Sequence, residues 1–147
     1  MEIHSLKVSL TEQDLNGLLQ KHIPRDQPVE DLAIRLAPEG VYVKGVYPLF
    51  INVSFETLWE LAAQGGKISA RLARLKAMGM PGNVFKSAIL KVIADAVGKE
   101  DWVKIDGETV AIDVERVLLE EGLVARTNLK SVTCQAGSLV FECRADA

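Results

Sequence analysis

The sequence predicts an α+β fold, a curved antiparallel sheet wrapped around or packed on one long amphipathic helix, with two shorter helices beside it. Three observations predict it. Apolar residues recur at helical spacing from Val84 to Val97, and the longest period-2 alternation runs from Ile51 to Leu61. Turn signals recur between the other alternating segments, and an order so rich in hairpins favours an antiparallel layer over a doubly wound parallel sheet.

Ile3–Leu10 alternates weakly and reads as a strand. A helix follows, with Thr11 as N-cap, Asp14 three residues on, and Leu10 and Leu15 at the staple positions. Leu15, Leu18, Leu19, His22 and Ile23 form its apolar stripe, and Pro24 and Pro28 end it. Leu32, Ile34 and Leu36 then alternate with Ala33, Arg35 and Ala37. The Pro38-Glu39-Gly40 turn reverses the chain into Val41, Val43 and Gly45, setting Leu36 opposite Val41.

Beyond Pro48, Ile51, Val53, Phe55, Thr57, Trp59 and Leu61 alternate with Asn52, Ser54, Glu56, Leu58 and Glu60. The second half, Glu56–Gln64, also suits a helix capped by Gly65. A strand is preferred because the alternation starts earlier and Gln64-Gly65-Gly66 makes a hairpin into Ile68, Ala70 and Leu72. Strict alternation past Leu72 would bury Arg74 and Lys76, and a bulge near Ala73 returns them to the outside.

Asn83 caps the long helix, whose stripe is Val84, Phe85, Ala88, Ile89, Val92, Ile93, Ala96 and Val97, and Gly98 stops it. Trp102–Ile105 turns at Asp106-Gly107 into Thr109–Ile112. Asp113 caps a short helix, Val114–Glu121. Ala125–Val132 and Ser138–Cys143 form a last hairpin, with Val132, Cys134, Leu139, Phe141 and Cys143 facing in. There is no linker, strict repeat or low-complexity tract, so residues 1–147 are expected to form one domain.

Composition bounds the function. A chain of 147 residues, 48% apolar, can bury a sizeable core. Mean hydropathy is +0.14, yet the longest uncharged stretches, Gly45–Phe55 and Ser131–Phe141, are 11 residues each. A spanning helix needs about 18, so an integral membrane protein is not expected. A net charge of −3 argues against a nucleic-acid partner. Met1–Lys7 lacks the basic-then-apolar pattern of an export signal. A cytoplasmic address is expected as the sequence stands, or a periplasmic or membrane-associated one if a signal has been removed. The Ala136-Gly137 turn pairs Cys134 with Leu139 and sets Cys143 opposite Lys130. That separates the cysteines by about 13 Å along the strands, beyond the roughly 7 Å a disulfide allows. Both are expected as reduced, half-buried thiols.

Candidate chemistry is sparse. His4 and His22 have no partners at metal-ligand spacing, and His22 suits a helix C-terminus. No nucleophile motif is present, and Gly65-Gly66-Lys67 lacks the spaced glycines and following helix of a phosphate loop. Asp106 and Asp113 could form a carboxylate pair, but one sits in a turn and the other is a cap. Neither an enzyme nor a cofactor or metal is expected. Lys67, Arg71, Arg74 and Lys76 fall within ten residues. They read as a solvated strand edge, or as a cationic rim in which Lys67, Arg71 and Arg74 contact headgroups or other anions. Met78, Met80, Trp59 and Phe85 cluster at the strand-to-helix junction, as core filler or as lining for an apolar ligand.

The chain runs Leu6-Lys7-Val8-Ser9-Leu10-Thr11-Glu12-Gln13-Asp14-Leu15-Asn16, then Leu36-Ala37-Pro38-Glu39-Gly40-Val41-Tyr42-Val43-Lys44-Gly45. A Gly-initiated strand at Lys67–Leu75 leads through Gly79-Met80-Pro81 into the amphipathic helix, and Gly137-Ser138-Leu139-Val140-Phe141 closes it. Over most of its length this order resembles the bacterial LmeA-like phospholipid-binding family, related to the tubular lipid-binding (TULIP) superfamily. The resemblance implies a curved sheet around a helix with an apolar tunnel or groove, and no catalytic residues. Family members are typically exported or membrane-associated, whereas this chain shows neither signal nor anchor.

The expectation is non-enzymatic binding of a lipid or other apolar small molecule between the sheet and the Val84–Val97 helix. Val53, Phe55, Trp59, Leu61, Met78, Met80, Phe85, Ile89 and Ile93 would line the groove, with a peripheral membrane surface as a further partner. The alternative is a protein-interaction or homodimerisation module with a filled core and no ligand.

Overall fold

The computed structural model describes residues 5–22, 30–48, 52–78, 85–91, 103–113, 116 and 127–145. In chain order the elements are β1 (Ser5–Thr11), α1 (Glu12–His22), β2 (Glu30–Ala37), β3 (Gly40–Pro48), β4 (Asn52–Gln64), β5 (Lys67–Ala77), α2 (residues 85–91), β6 (Val103–Asp106), β7 (Thr109–Ile112), β8 (Thr127–Gln135) and β9 (Ser138–Ala145). The strands form two antiparallel sheets, ordered β1-β9-β8 and β2-β3-β4-β5-β7-β6.

This overturns the expected α+β fold of a sheet around one long helix. Strands take 71% of the described residues, and the helical stretches among the described residues are short. Alternation specifies that one face of a strand is buried without specifying what covers it. Much of the cover here is the second sheet. Ile68 of β5 packs with Leu129 of β8 and Phe141 of β9, and Val8, Leu10, Leu61, Ala63 and Ile112 close around them. Helix α2 covers Val53 and Phe55 through Phe85 and Ile89, and its Leu90 packs against the cluster of Trp59, Ala70, Leu72 and Val110. The tubular lipid-binding architecture with its hydrophobic groove is corrected by the same finding to sheet packed on sheet. Residues 92–97 of the expected helix, its cap Asn83, and the 114–121 helix apart from Arg116 lie outside the described residues.

Local expectations fare better. The Thr11 N–H donates to Asp14 Oδ2 at 3.0 Å and the Asp14 N–H donates to Thr11 Oγ1 at 3.1 Å, a reciprocal capping box that starts α1. Leu36 stands opposite Val41, and Glu56–Gln64 is strand. Leu58 pairs with Arg74 and Trp59 with Leu72, which leaves Ala73 as the extra residue of a bulge. Cys134 pairs with Leu139, but Cys143 faces Leu129 instead of Lys130, because the register shifts between Leu129 and Ser131.

The inner face of β4 organises the core. Val53, Phe55, Thr57 and Trp59 are buried, with Val53 and Thr57 each 1% exposed. Thr57 resolves its own burial. Its Oγ1 donates to the Val43 carbonyl at 3.0 Å and accepts the Trp59 Nε1–H at 2.9 Å, so no polar atom is stranded there. Gly40, at φ +150°, begins β3 where a Cβ would fall onto the Trp59 carbonyl oxygen, so only glycine fits. Among the described residues no helix is long and apolar enough to cross a membrane.

Candidate functional site

The outer face of the six-stranded sheet gathers charge by register. Arg35 faces Tyr42, Tyr42 faces Leu58, and Leu58 faces Arg74, a row across β2, β3, β4 and β5. The adjacent row is Ala33, Lys44, Glu56 and Lys76. Arg74 and Lys76 reach this face because the Ala73 bulge shifts the alternation of β5 by one residue. Between the rows lies a dish of about 100 Å³ lined by Arg35, Tyr42, Glu56, Leu58, Arg74 and Lys76. Among the described residues three cations and one carboxylate line it, on a chain whose net charge is −3.

Leu58 gives the dish an apolar floor, only 3% exposed although it lies on the outer face. The Arg35 guanidinium carbon sits 4.1 Å from the centre of the Tyr42 ring, within the range of a cation–π contact that holds the charge beside the dish. The Tyr42 hydroxyl donates to Glu39 Oε1 at 2.7 Å. That bond holds the Glu39 carboxyl below its usual range, with backbone hydrogen bonding and the charges of Arg35 and Arg74 contributing. It raises the Tyr42 phenol in turn. At neutral pH Glu39 is therefore charged and Tyr42 is a neutral donor pinned beside the row.

The expected rim residues are distributed differently. Arg74 lines the dish. Arg71 is engaged with Glu60 Oε2 at 2.6 Å, and that hydrogen bond raises its pKa. Lys67 begins β5 at the hairpin, seven residues from Arg74 and so about 20 Å along the strand. Arg35, Tyr42, Glu56 and Leu58 were not anticipated, although a signal for two of them existed. A hairpin that sets Leu36 opposite Val41 necessarily sets Arg35 opposite Tyr42.

The residues expected to line a groove meet each other. Val53, Phe55, Phe85 and Ile89 form one cluster. Phe85, with 0% exposure, stands 5.4 Å from Phe55 and edge-on to Tyr47 at 6.0 Å, ring centre to ring centre. Trp59 belongs to a second cluster with Ala70, Leu72 and Val110, against which Leu61 packs. Met78 is 73% exposed, and Met80 and Ile93 lie outside the described residues. Where α2 meets β4, the interval is thus occupied by Phe85.

Other candidates have structural employment. Asp113 Oδ1 accepts the Arg116 N–H at 3.4 Å, as a cap does, and Asp106 is exposed in the hairpin opposite Thr109. Cys134 is a free, half-buried thiol whose pKa burial pushes up, which suppresses the nucleophilic thiolate. The side chains of His4, His22 and Cys143 lie outside the described residues. No family model matches the chain, and no curated protein matches it. Among the described residues the dish offers binding chemistry, a small hollow in which Arg35, Tyr42, Glu56, Arg74 and Lys76 surround Leu58.

Proposed function

We propose that this protein is a non-enzymatic interaction module that docks an acidic polypeptide segment on the outer face of its six-stranded sheet. The observation that carries the reading is the convergence of Arg35, Arg74 and Lys76 on one dish where, among the described residues, Glu56 is the one lining carboxylate. Size favours a segment over a whole small molecule. Pockets that bury drug-sized ligands run to about 300–1,000 Å³, and a dish of about 100 Å³ admits one acidic group while the rest of its bearer lies along the sheet. Lys44, in the row beside it, extends the positive surface. The packing of Phe85 against Phe55 and Tyr47 supports a binding role on the surface over one in the interior.

Titration with a hexaglutamate peptide, followed by amide chemical shifts, tests this. Shifts should centre on Arg35, Tyr42 and Arg74, weaken as salt rises from about 20 mM to 200 mM, and fall at least tenfold in affinity in Arg35→Ala/Arg74→Ala. Inorganic phosphate and anionic vesicles are titrated alongside. Equal binding of the peptide by wild type and the double variant, or a response to vesicles and none to the peptide, overturns the reading.

A further inference from the structure

β2 is an outermost strand of the six-stranded sheet, and such a strand turns a row of backbone donors and acceptors outward. Here they are occupied. Asn16 Oδ1 accepts the Ile34 N–H at 2.7 Å and Asn16 Nδ2 donates to the Ile34 carbonyl at 3.1 Å. Glu12 Oε1 accepts the Leu36 N–H at 2.8 Å, and the Gly137 N–H, from the β8–β9 turn, donates to the Leu36 carbonyl at 3.1 Å. A carboxamide that gives and takes at one residue reproduces what a neighbouring strand does at one pairing position. Asn16 is held to this task, because its Nδ2 also donates to the Glu12 carbonyl at 2.9 Å.

The rest of β2 is unsuited to pairing. The register shifts between Glu30 and Ala33, and Asp31 has φ +54°. The regular part of the edge is therefore the stretch that α1 covers. At the opposite edge, β6 is only four residues long.

We propose that α1 is an edge lock, in which Asn16 and Glu12 hold closed a strand-pairing surface on β2 whose partner is β2 of a second copy of this chain. An antiparallel edge is self-complementary about a two-fold axis, so each copy brings the same donors and acceptors that the other lacks. Displacing α1 frees the Ile34 N–H, the Ile34 carbonyl and the Leu36 N–H, while the Gly137 bond remains. The lock is independent of the acidic-segment reading, since it involves the edge and not the outer face.

Residue-resolved amide exchange and sedimentation over a concentration series, on the full chain, test the lock. In Glu12→Ala/Asn16→Ala at low concentration, the Ile34 and Leu36 amides should exchange at least about tenfold faster than in wild type. As concentration rises the variant should form more dimer than wild type, and both amides should regain protection. Asn16→Asp is the milder arm, for the case in which the double variant unfolds. It keeps the acceptor for the Ile34 N–H and removes the donor to its carbonyl, so Ile34 stays protected while dimer rises by a smaller amount. Unchanged exchange at both amides in the double variant, a dimer in which both exchange freely, or no added association in Asn16→Asp with α1 intact overturns the proposal.

Discussion

The two faces of the six-stranded sheet are built from the same strands by opposite rules. On the inner face Val53, Phe55, Thr57 and Trp59 of β4 are buried against α2, the neighbouring strands or the second sheet, and even the hydroxyl there has both of its partners inside. On the outer face Arg35, Arg74 and Lys76 ring a shallow hollow over Leu58, with charges outnumbering their counterions. The inner face is a packing problem, and changes to it should be read in stability. The outer face is an electrostatic surface, and changes to it should be read in binding with the fold intact.

The largest effect expected is from Gly40→Ala, which touches both faces. The added methyl meets the Trp59 carbonyl and the Leu58 side chain at a backbone angle that L-residues rarely adopt. A loss of more than about 3 kcal/mol, seen as a lowered urea midpoint, is expected. Phe85→Ala comes next, at about 3–5 kcal/mol, because the vacated space is walled by Phe55 and Tyr47. Where that variant still folds, its affinity for hexaglutamate should match wild type. A variant that loses both together would erase the distinction between the faces.

Thr57→Val is near-isosteric and should cost about 1–3 kcal/mol, since the Trp59 Nε1–H loses its acceptor while buried. Tryptophan emission should shift with it. The smallest effect belongs to the outer face. Glu39 is held below its usual range chiefly by the Tyr42 hydroxyl, so the stability linked to it is present above the unfolded carboxylate pKa and lost as pH falls through the lower folded value. Tyr42→Phe should move the Glu39 midpoint upward in a carboxyl NMR titration and leave the urea midpoint at neutral pH nearly unchanged, sharpening the contrast with Thr57→Val.

How much of this was legible follows the distance over which each feature is encoded. The capping box at Thr11 and Asp14, the pairing of Leu36 with Val41, and the Ala73 bulge are written within a few residues, and each is found. The partition into two sheets is not local. β1 pairs with β9, from Ser5 with Arg144 to Thr11 with Ser138, and alternation in β1 carries no trace of that choice. The same limit hid part of the cover of the inner face. Phe85 and Ile89 meet Val53 and Phe55 as expected, but Ile68 is covered by Leu129 and Phe141 of the second sheet, and a buried stripe is equally satisfied by a helix or a sheet. The dish falls between these cases. Arg35 and Arg74 are far apart in sequence and meet only through three successive registers, of which the first was readable and the last depended on the bulge. Cys143 shows the same sensitivity in reverse, since the irregularity beside Lys130 moved its neighbour to Leu129.

The extra residue at Ala73 makes β5 a strand whose two halves are out of phase. Before it, the even-numbered positions Ile68, Ala70 and Leu72 point inward, and after it the even-numbered Arg74 and Lys76 point outward. Strict alternation with Ala73 kept and paired would swing two cations into an apolar interior and turn Leu75 out to water, whereas deleting Ala73 would let Arg74 follow Leu72 directly and stay outside, opposite Leu58. Deletion of Ala73 removes the bulge and leaves every later residue of the strand on its own face, but pairing Ala73 into the ladder would move them all to the other one. The face that carries the charge is thus set by one residue left out of the ladder as much as by the kinds of residue that follow it.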